Sequence, residues 1–318
     1  MTTPRVSVCV VTYNHERYII DCLMSVVAQA HDVPLEILIG DDQSTDQTEE
    51  IVRALEARFP DVIRYFRHEN RLGPGGNYQF LIGRARGEYI AHLDGDDYWL
   101  PGKLAKQISA LDKNPRISAS YTNALCINDG GVPVGIFNNP QPSEFGIDYL
   151  FSQGNFLNHS SMLYRSSAKQ KLCDWPPDFV DYKIHIMLAC QGEIGYVNCL
   201  GVTYRVSSSA SMIVQQGEKV RALYWQAIHE MSSEKVPSGC KLSASADFLR
   251  RIIFRSVRLG SFELIGKWWG IVAAAHENKK IKLIQLTLQR VLSAAVIEVL
   301  SSLAARLGGT KLRVIYWR

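Results

Sequence analysis

Three carboxylates close a β-prone run where Asp94-Gly95-Asp96-Asp97 follows Tyr89-Ile90-Ala91-His92-Leu93. A strand that delivers acids to its carboxyl end builds a poor core, because each buried charge must be paired or solvated. The same arrangement suits a hard divalent cation, which prefers oxygen ligands and can sit beside a diphosphate. An acidic turn after a strand is the plain structural alternative for this stretch. The polar residues upstream tip the balance.

Those residues are spaced by a regular alternation of elements. Val6-Ser7-Val8-Cys9-Val10-Val11 is a β-rich run that ends in Thr12-Tyr13-Asn14. Helical periodicity follows from about Arg17 to Ala30, with Ile20, Leu23, Met24 and Val27 on one face. Glu36-Ile37-Leu38-Ile39-Gly40 reads as a second strand ending in Asp41-Asp42-Gln43-Ser44-Thr45-Asp46. Ser44 or Thr45 is placed to cap a helix from about Gln47 to Phe59. A third strand spans Val62 to Phe66, then Glu69-Asn70-Arg71-Leu72-Gly73 leads to a helix from Gly76 to Arg86. This alternation predicts an α/β fold with a mostly parallel sheet and crossover helices. Ligands of such sheets bind beyond the carboxyl ends of the strands. Tyr13, Asp41, Asp42, Arg71, Asp94 and Asp96 all fall at those ends. Gly73-Pro74-Gly75-Gly76-Asn77 lacks the lysine-serine or lysine-threonine ending of a triphosphate loop and the spacing of a dinucleotide fingerprint. It reads as a tight helix start, with a phosphate-cradling turn as the alternative.

Taken together, Thr12-Tyr13-Asn14, the 41–46 run, Glu69-Asn70-Arg71-Leu72-Gly73 and Asp94-Gly95-Asp96-Asp97 resemble the family 2 glycosyltransferases of GT-A fold, over residues 5–125 closely and more loosely to about residue 212. The resemblance implies an inverting, metal-dependent transfer of a sugar from a nucleotide diphosphate donor to an acceptor hydroxyl. It implies UDP before dTDP or GDP, Mn²⁺ or Mg²⁺ as cofactor, and bacterial surface polysaccharide such as O-antigen or capsule as product. By that similarity Asp96 touches the metal, and Asp94 touches the ribose or the metal's water shell. Gly95 lies between them on the donor side, and Asp97 braces the loop. Asp42 accepts a hydrogen bond from the base, Tyr13 packs against that base, and Thr12 and Asn14 border the nucleotide. For Asp41 and Asp42 the alternative is helix capping. For Arg71 it is a solvated loop arginine in place of a charge beside the nucleotide.

The second half must supply a base for the acceptor hydroxyl, a task that suits a positioned carboxylate. In the family that carboxylate opens a helix, ahead of a Gly-containing turn, a strand and a Tyr-Arg pair. Here Asp181-Tyr182 opens such a run, and Gln191-Gly192-Glu193 and Tyr204-Arg205 follow. This register picks Asp181 as general base, with Asp178 as second choice and a simple helix N-terminal acid as the alternative. Asn155 to Arg165 resembles the acceptor-side segment, which makes His159 and Arg205 acceptor-side candidates. Where many relatives carry a histidine after Tyr-Arg, this chain has Val206-Ser207-Ser208-Ser209, a weaker metal ligand set.

Seven scattered cysteines without a CxxC pair argue against a disulfide framework or a zinc site. Residues 1–5 lead straight into the first strand, so a cytoplasmic protein without a signal peptide is expected. A GT-A domain is expected over 1–235, with a nucleotide half at 1–125 and an acceptor half at 126–235, followed by a helical extension at 236–318. The composition break falls at 234–239, with helices expected from Ser243 to Gly270, broken near Gly260, and from Lys279 to Leu307. From His276 onward eight Lys/Arg face two Asp/Glu, so the tail holds +6 of an overall +4 and the rest is −2. That tail suits a helix on an anionic bilayer, a partner or homodimer contact, or a helix closing onto the catalytic domain. The expected partners are a nucleotide sugar and a glycan or lipid-linked glycan, with no nucleic acid. Two other classes are kept. A nucleotidyltransferase would carry a glycine-rich basic loop after the first strand, which Tyr13-Asn14-His15-Glu16 is not. A weakly catalytic sugar-binding protein would have lost Asp42, Asp94, Asp96 and Asp181.

Overall fold

β1 (Val6–Thr12) is buried almost throughout, which suits a central strand covered on both faces. It pairs in parallel with β2 (Leu35–Asp41) on one side and β4 (Tyr89–Asp94) on the other. β3 (Ile63–Arg67) extends β2 in parallel. The register sets Thr12 opposite Asp41 and Val11 opposite Asp94, so the polar strand ends lie at one level. In the computed structural model, residues 3–206, 217–230, 236, 238–307 and 313–316 are described.

Side-chain alternation divides the core into two layers. Val8, Val10, Ile37, Ile39 and Leu93 face α1 (Ile19–Val27) and α4 (Lys103–Lys113). Cys9, Leu38 and Ile90 face α3 (Gly73–Arg84) and the second half of the chain. α2 (Thr48–Arg58) covers the β3 side. In α1 the buried stripe is Ile19, Cys22, Leu23 and Val26, while Ile20 is exposed. The apolar face expected on Ile20, Leu23, Met24 and Val27 is therefore rotated by one residue. Each such buried side chain contributes roughly 1.5–3 kcal/mol, which is enough to fix that rotation.

The expected cap of α2 is also corrected. The Ser44 hydroxyl accepts the Asn14 N–H and the Thr45 N–H donates to Asn14 Oδ1, so both residues tie the two loops together. Asp46 Oδ1 takes the Thr48 N–H and Glu16 Oε2 takes the Gln47 N–H. α3 starts at Gly73 (φ 71°), with Pro74 in its first turn, three residues before the expected Gly76.

β6 (Ile117–Ile127) joins the sheet through β9 (Leu163–Arg165), antiparallel to β4 and β6. β7 (Pro133–Asn138) runs antiparallel to β6, and β10 (Glu193–Arg205) runs parallel to it. Two short strands, β5 (Tyr98–Trp99) and β8 (Glu144–Phe145), pair with β10. The parallel nucleotide half and this mixed half give the expected α/β architecture. α5 (Ile147–Gln153) and α7 (Asp181–Ala189) cover the second half, while α6 (Lys169–Cys173) packs on α3.

Beyond α8 (Gly217–His229) come α9 (Ser238–Leu259), α10 (Glu263–Ala274) and α11 (Lys280–Leu307). The break between α9 and α10 falls at Gly260 (φ 65°), as its sequence position suggests. The expected 234–239 linker is described only at Val236 and at the start of α9. Phe248, Leu249, Trp268 and Val272 share one buried cluster with Tyr182 and Ile184. The extension is not wholly helical, because β11 (Arg313–Tyr316) pairs in parallel with β7.

Candidate active site

The acidic turn between β4 and β5 is held from several directions. Buried Asp97 accepts the Arg205 N–H at 2.9 Å on Oδ1 and the Ser160 hydroxyl at 2.6 Å on Oδ2. It braces the turn and has little left for a ligand. Arg205 donates from Nε to the Asp96 carbonyl at 3.2 Å and from Nη1 to the Asn128 carbonyl at 3.1 Å. Its guanidinium lies 4.1 Å from the Tyr18 ring centroid. Arg205, expected on the acceptor side, thus also shapes the turn. Gly95 is required there, since a Cβ would stand 2.6 Å from His15 Nδ1 and 2.8 Å from Thr12 Oγ1.

Asp94 and Asp96 are half-buried, so their carboxylates are the accessible ones. Burial lifts the Asp96 carboxyl above its ordinary range, and the Asp94 charge adds to this against the pull of His15. Burial would also lift Asp94, but the charge and hydrogen bond of His92, helped by His159 and His15, hold it well below that range. His92 Nε2 lies 3.0 Å from Asp94 Oδ1. Asp97 is lifted well above by burial and then by Asp96 and Asp94. Three crowded acids in one turn make a strongly anion-rich spot. Among the described residues no group of three or more His, Cys, Asp or Glu converges to cage a metal. The donor set fits a divalent cation of another kind, one that takes one or two carboxylates and fills its shell with substrate phosphates and water.

The other strand ends complete the rim. Asp42 is buried, and its Oδ1 and Oδ2 accept the N–H groups of Leu72 (2.6 Å) and Gly73 (3.1 Å) at the start of α3. Its capping duty therefore goes to α3 and leaves lone pairs on each oxygen. The Arg71 Nε stands 3.5 Å from Asp42 Oδ2, and its guanidinium lies 3.6 Å from the Tyr13 ring centroid. Tyr13, Asp42 and Arg71 thus form one stacked and charged unit. Asp41 is sealed inside, accepting the Ser44 N–H and the Tyr65 hydroxyl. Asn14 adopts φ 56° and Gln43 φ 68°, rare for residues with a side chain, which marks the two loops as specialised. Thr12 is buried, with Oγ1 3.2 Å from His15 Nδ1, and Asn14 is a bracket between loops. Both tie together the loops that form the rim. A Cβ on Gly75 would meet the Pro177 carbonyl at 2.0 Å, so the glycine-rich start of α3 packs beneath the 177–179 segment.

Asp181 begins α7. Its Oδ1 accepts the Tyr182 N–H at 2.7 Å, and Asn155 Nδ2 lies 3.2 Å from each carboxylate oxygen. Asp178 is exposed and paired with Lys219 at 2.9 Å, on the surface. His159 stacks on His92 with centroids 3.9 Å apart and approaches His185 at 3.3 Å. The residues to which sequence reasoning gave no individual role are His15, His92, Asn155, Ser160 and His185, although Asn155 and Ser160 lie in the segment read as acceptor-side. Their other sequence signal was the placing of His92 and Ser160 beside motifs already singled out. Ser207, Ser208 and Ser209 lie outside the described residues.

A mostly parallel sheet with an acidic turn at the end of β4 defines a GT-A-like class of protein. The family model described as Glycosyl transferase family 2 matches residues 7–172. This chain belongs to that family. An uncharacterised protein of Mycobacterium tuberculosis is 32% identical over 205 residues, covering 63% of this chain and 58% of its own length. The chain thus spans less than two thirds of that relative. The Escherichia coli UDP-Glc:alpha-D-GlcNAc-diphosphoundecaprenol beta-1,3-glucosyltransferase WfaP is 26% identical over 233 residues, 71% of this chain and 89% of its own. The crystal structure of S. aureus TarS 1-349 with UDP-GlcNAc aligns with a TM-score of 0.64 at 21% identity, over 85% of this chain and 81% of the other. At that identity the likeness concerns the fold.

Proposed function

We propose that the protein is an inverting glycosyltransferase that moves a sugar from a UDP-sugar to a hydroxyl of a glycan or lipid-linked glycan, in bacterial surface-polysaccharide synthesis. The observation that carries this is the alignment of the ends of β1, β2 and β4, where Thr12 stands opposite Asp41 and Val11 opposite Asp94, with Asp181 linked to that rim through Asn155, His185, His159 and His92. Family membership and relatives named for UDP-sugars support the donor class.

In this reading Tyr13 packs against the base, Arg71 adds positive charge beside the nucleotide, Asp42 accepts the base N–H, and Asp94 receives the ribose. Asp96, with Asp94 near it, would hold Mn²⁺ or Mg²⁺. When bound, such an ion neutralises charge building on the departing diphosphate. The acceptor oxygen bonds to the anomeric carbon as the bond from that carbon to the diphosphate oxygen breaks. The hydroxyl proton passes to Asp181. Oδ2 is suited to take it, since among the described residues its one hydrogen bond comes from Asn155. Attack opposite the leaving group inverts the anomeric centre.

The test uses UDP-glucose and UDP-N-acetylglucosamine with Mn²⁺ and a GlcNAc-diphospho-lipid acceptor, following UDP release and glycan transfer. Asp181→Asn is expected to lower transfer by roughly 10²–10⁴-fold, the usual worth of a positioned base. Retention of most of the rate removes Asp181 from the role. Pyrophosphate release from a nucleoside triphosphate would point instead to the nucleotidyltransferase reading.

For location, no helix among the described residues is long and apolar enough to cross a membrane. Ile281, Leu288, Leu292, Val296 and Leu300 nevertheless lie exposed along α11, with Lys279, Lys280 and Lys282 at its start. A cytoplasmic enzyme resting on an anionic membrane face through this helix fits that mixture. Leu292→Ser with Val296→Ser should cut co-sedimentation with anionic vesicles. Unchanged sedimentation would remove α11 as the contact, and a loss of dimer in its place would assign the face to a second copy.

A further inference from the structure

Behind Asp181 lies a chain of polar side chains whose hydrogen positions follow one from another. Asn155 Nδ2 sits 3.2 Å from both oxygens of the carboxylate. The amide cannot be turned end for end, because its carbonyl oxygen would then face an anion. Asn155 Oδ1 is therefore the acceptor toward His185 Nδ1, 3.0 Å away, and that nitrogen must carry the hydrogen. His185 is fully buried. Burial, then repulsion from His92, pushes its imidazole down to about 3, so it stays neutral near pH 7. A neutral ring with its hydrogen on Nδ1 has a bare Nε2. His159 Nδ1 lies 3.3 Å from that bare nitrogen and must donate to it. Burial, followed by His92 and His185, also drives His159 well below its ordinary value, so it too is neutral.

The chain has a firm back and a definite end. Arg251, anchored on buried Asp247 at 2.9 Å, donates from Nη2 to the main-chain carbonyl of Asn155 at 3.0 Å. The edge of Tyr121 packs on His185 with centroids 5.1 Å apart. At the other end His159 meets His92 by stacking, and among the bonds of the described residues none joins those two rings. The two imidazoles thus hydrogen-bond toward Asp181 and His92 toward Asp94, and the two sets meet through ring packing and electrostatic influence.

We propose that His185 and His159 are positioning residues for Asp181: each donates through Nδ1, and together they lock the Asn155 amide that aims the carboxylate at the acceptor hydroxyl. This rests on Asp181 being the base. Rigid aim is worth a great deal in such a step, since misplacement by about 1 Å can cost roughly a hundredfold in rate. The claim concerns direction and reach of hydrogen bonds, and neither imidazole needs to change protonation state.

The directionality supplies the test. Asparagine keeps an N–H near the position of imidazole Nδ1, whereas glutamine places its amide near Nε2. His185→Gln and His159→Gln are each expected to lower kcat by about tenfold or more, with the KM for UDP-sugar unchanged. His185→Asn and His159→Asn should recover most of that loss. Donors, Mn²⁺ and GlcNAc-diphospho-lipid acceptor are as above, and thermal melts verify folding; half-buried His159 gives the variant pair least prone to unfold. Equal activity of the Asn and Gln forms, or a donor KM that rises as far as kcat falls, overturns the proposal. An Asp181→Asn enzyme that remains active would sink the base reading and this inference with it. An inactive Asp181→Asn beside unaltered histidine variants would sink this inference alone.

Discussion

The rim at the ends of β1, β2 and β4 and the region around Asp181, the proposed base, are built in opposite ways. The rim gathers short runs in which neighbouring residues share one task, such as Asp94 through Asp97 or Asp41 through Asp46. Sheet register then brings the runs to one level. The base region is put together one residue at a time, with Asn155 reaching Asp181 across 26 positions and His185 across 30. A rim made of runs survives loss of a single contact better than a chain of single contacts does. The base side should therefore be the more fragile of the two.

Glycine substitutions break this comparison most strongly. Gly154 has φ 73°, and a Cβ there would stand 2.2 Å from Asp247 Oδ2, in the ion cluster that backs Asn155. Gly154→Ala is expected to cost roughly 2–5 kcal/mol, adding left-handed strain to overpacking. On the rim, Gly95→Ala meets only overpacking against His15 and Thr12, at about 1–3 kcal/mol. Denaturant midpoints measure both. A larger loss for Gly95→Ala would reverse the expected order of fragility.

Acid sharpens the same contrast. Folded His185 refuses a proton until about pH 3, whereas the unfolded chain accepts one near the ordinary value of 6.5. The unfolded state therefore binds more protons throughout that interval, and stability falls as pH falls from about 6.5 toward 3. One such group contributes at most about 1.4 kcal/mol per pH unit. His185→Asn should flatten the slope of unfolding free energy between pH 6.5 and 5 by up to that amount, and a slope that does not change would mean that His185 takes up its proton normally.

The smallest effect is expected at Arg71, which is half exposed over Tyr13. Arg71→Ala should cost under about 1 kcal/mol of stability, as exposed cation–π pairs do. Its visible consequence should be weaker UDP binding, followed by titration calorimetry. Undiminished affinity would return Arg71 to the role of a solvated loop residue.

How much of this was legible in the sequence follows from the same division. The alternation of strands and helices, the rim residues and the helix break at Gly260 were legible, since each rests on local pattern. Ser44 and Thr45 misled because a local capping rule was overridden by Asn14, some thirty positions away in the chain. Ile20 misled because helical periodicity gives the width of an apolar stripe more surely than its rotation. The hold of Arg205 Nε on the Asp96 carbonyl, 109 positions away, could not be read from its place after Tyr204. His185 was invisible, since a histidine among Ile184, Ile186 and Met187 reads as ordinary core. Only the fold sets its Nδ1 against Asn155.

The central claim is that donor capture and acceptor deprotonation belong to two separate carboxylate centres, Asp96 with its neighbours and Asp181. Calorimetric titration of UDP with Mn²⁺ into Asp96→Asn and Asp181→Asn proteins, beside transfer rates for both, tests it most directly. The account predicts that Asp96→Asn loses manganese-dependent UDP binding, while Asp181→Asn binds UDP as the unaltered protein does and fails in transfer. Equal loss of UDP binding in both variants, or full manganese-dependent binding by Asp96→Asn, would contradict it.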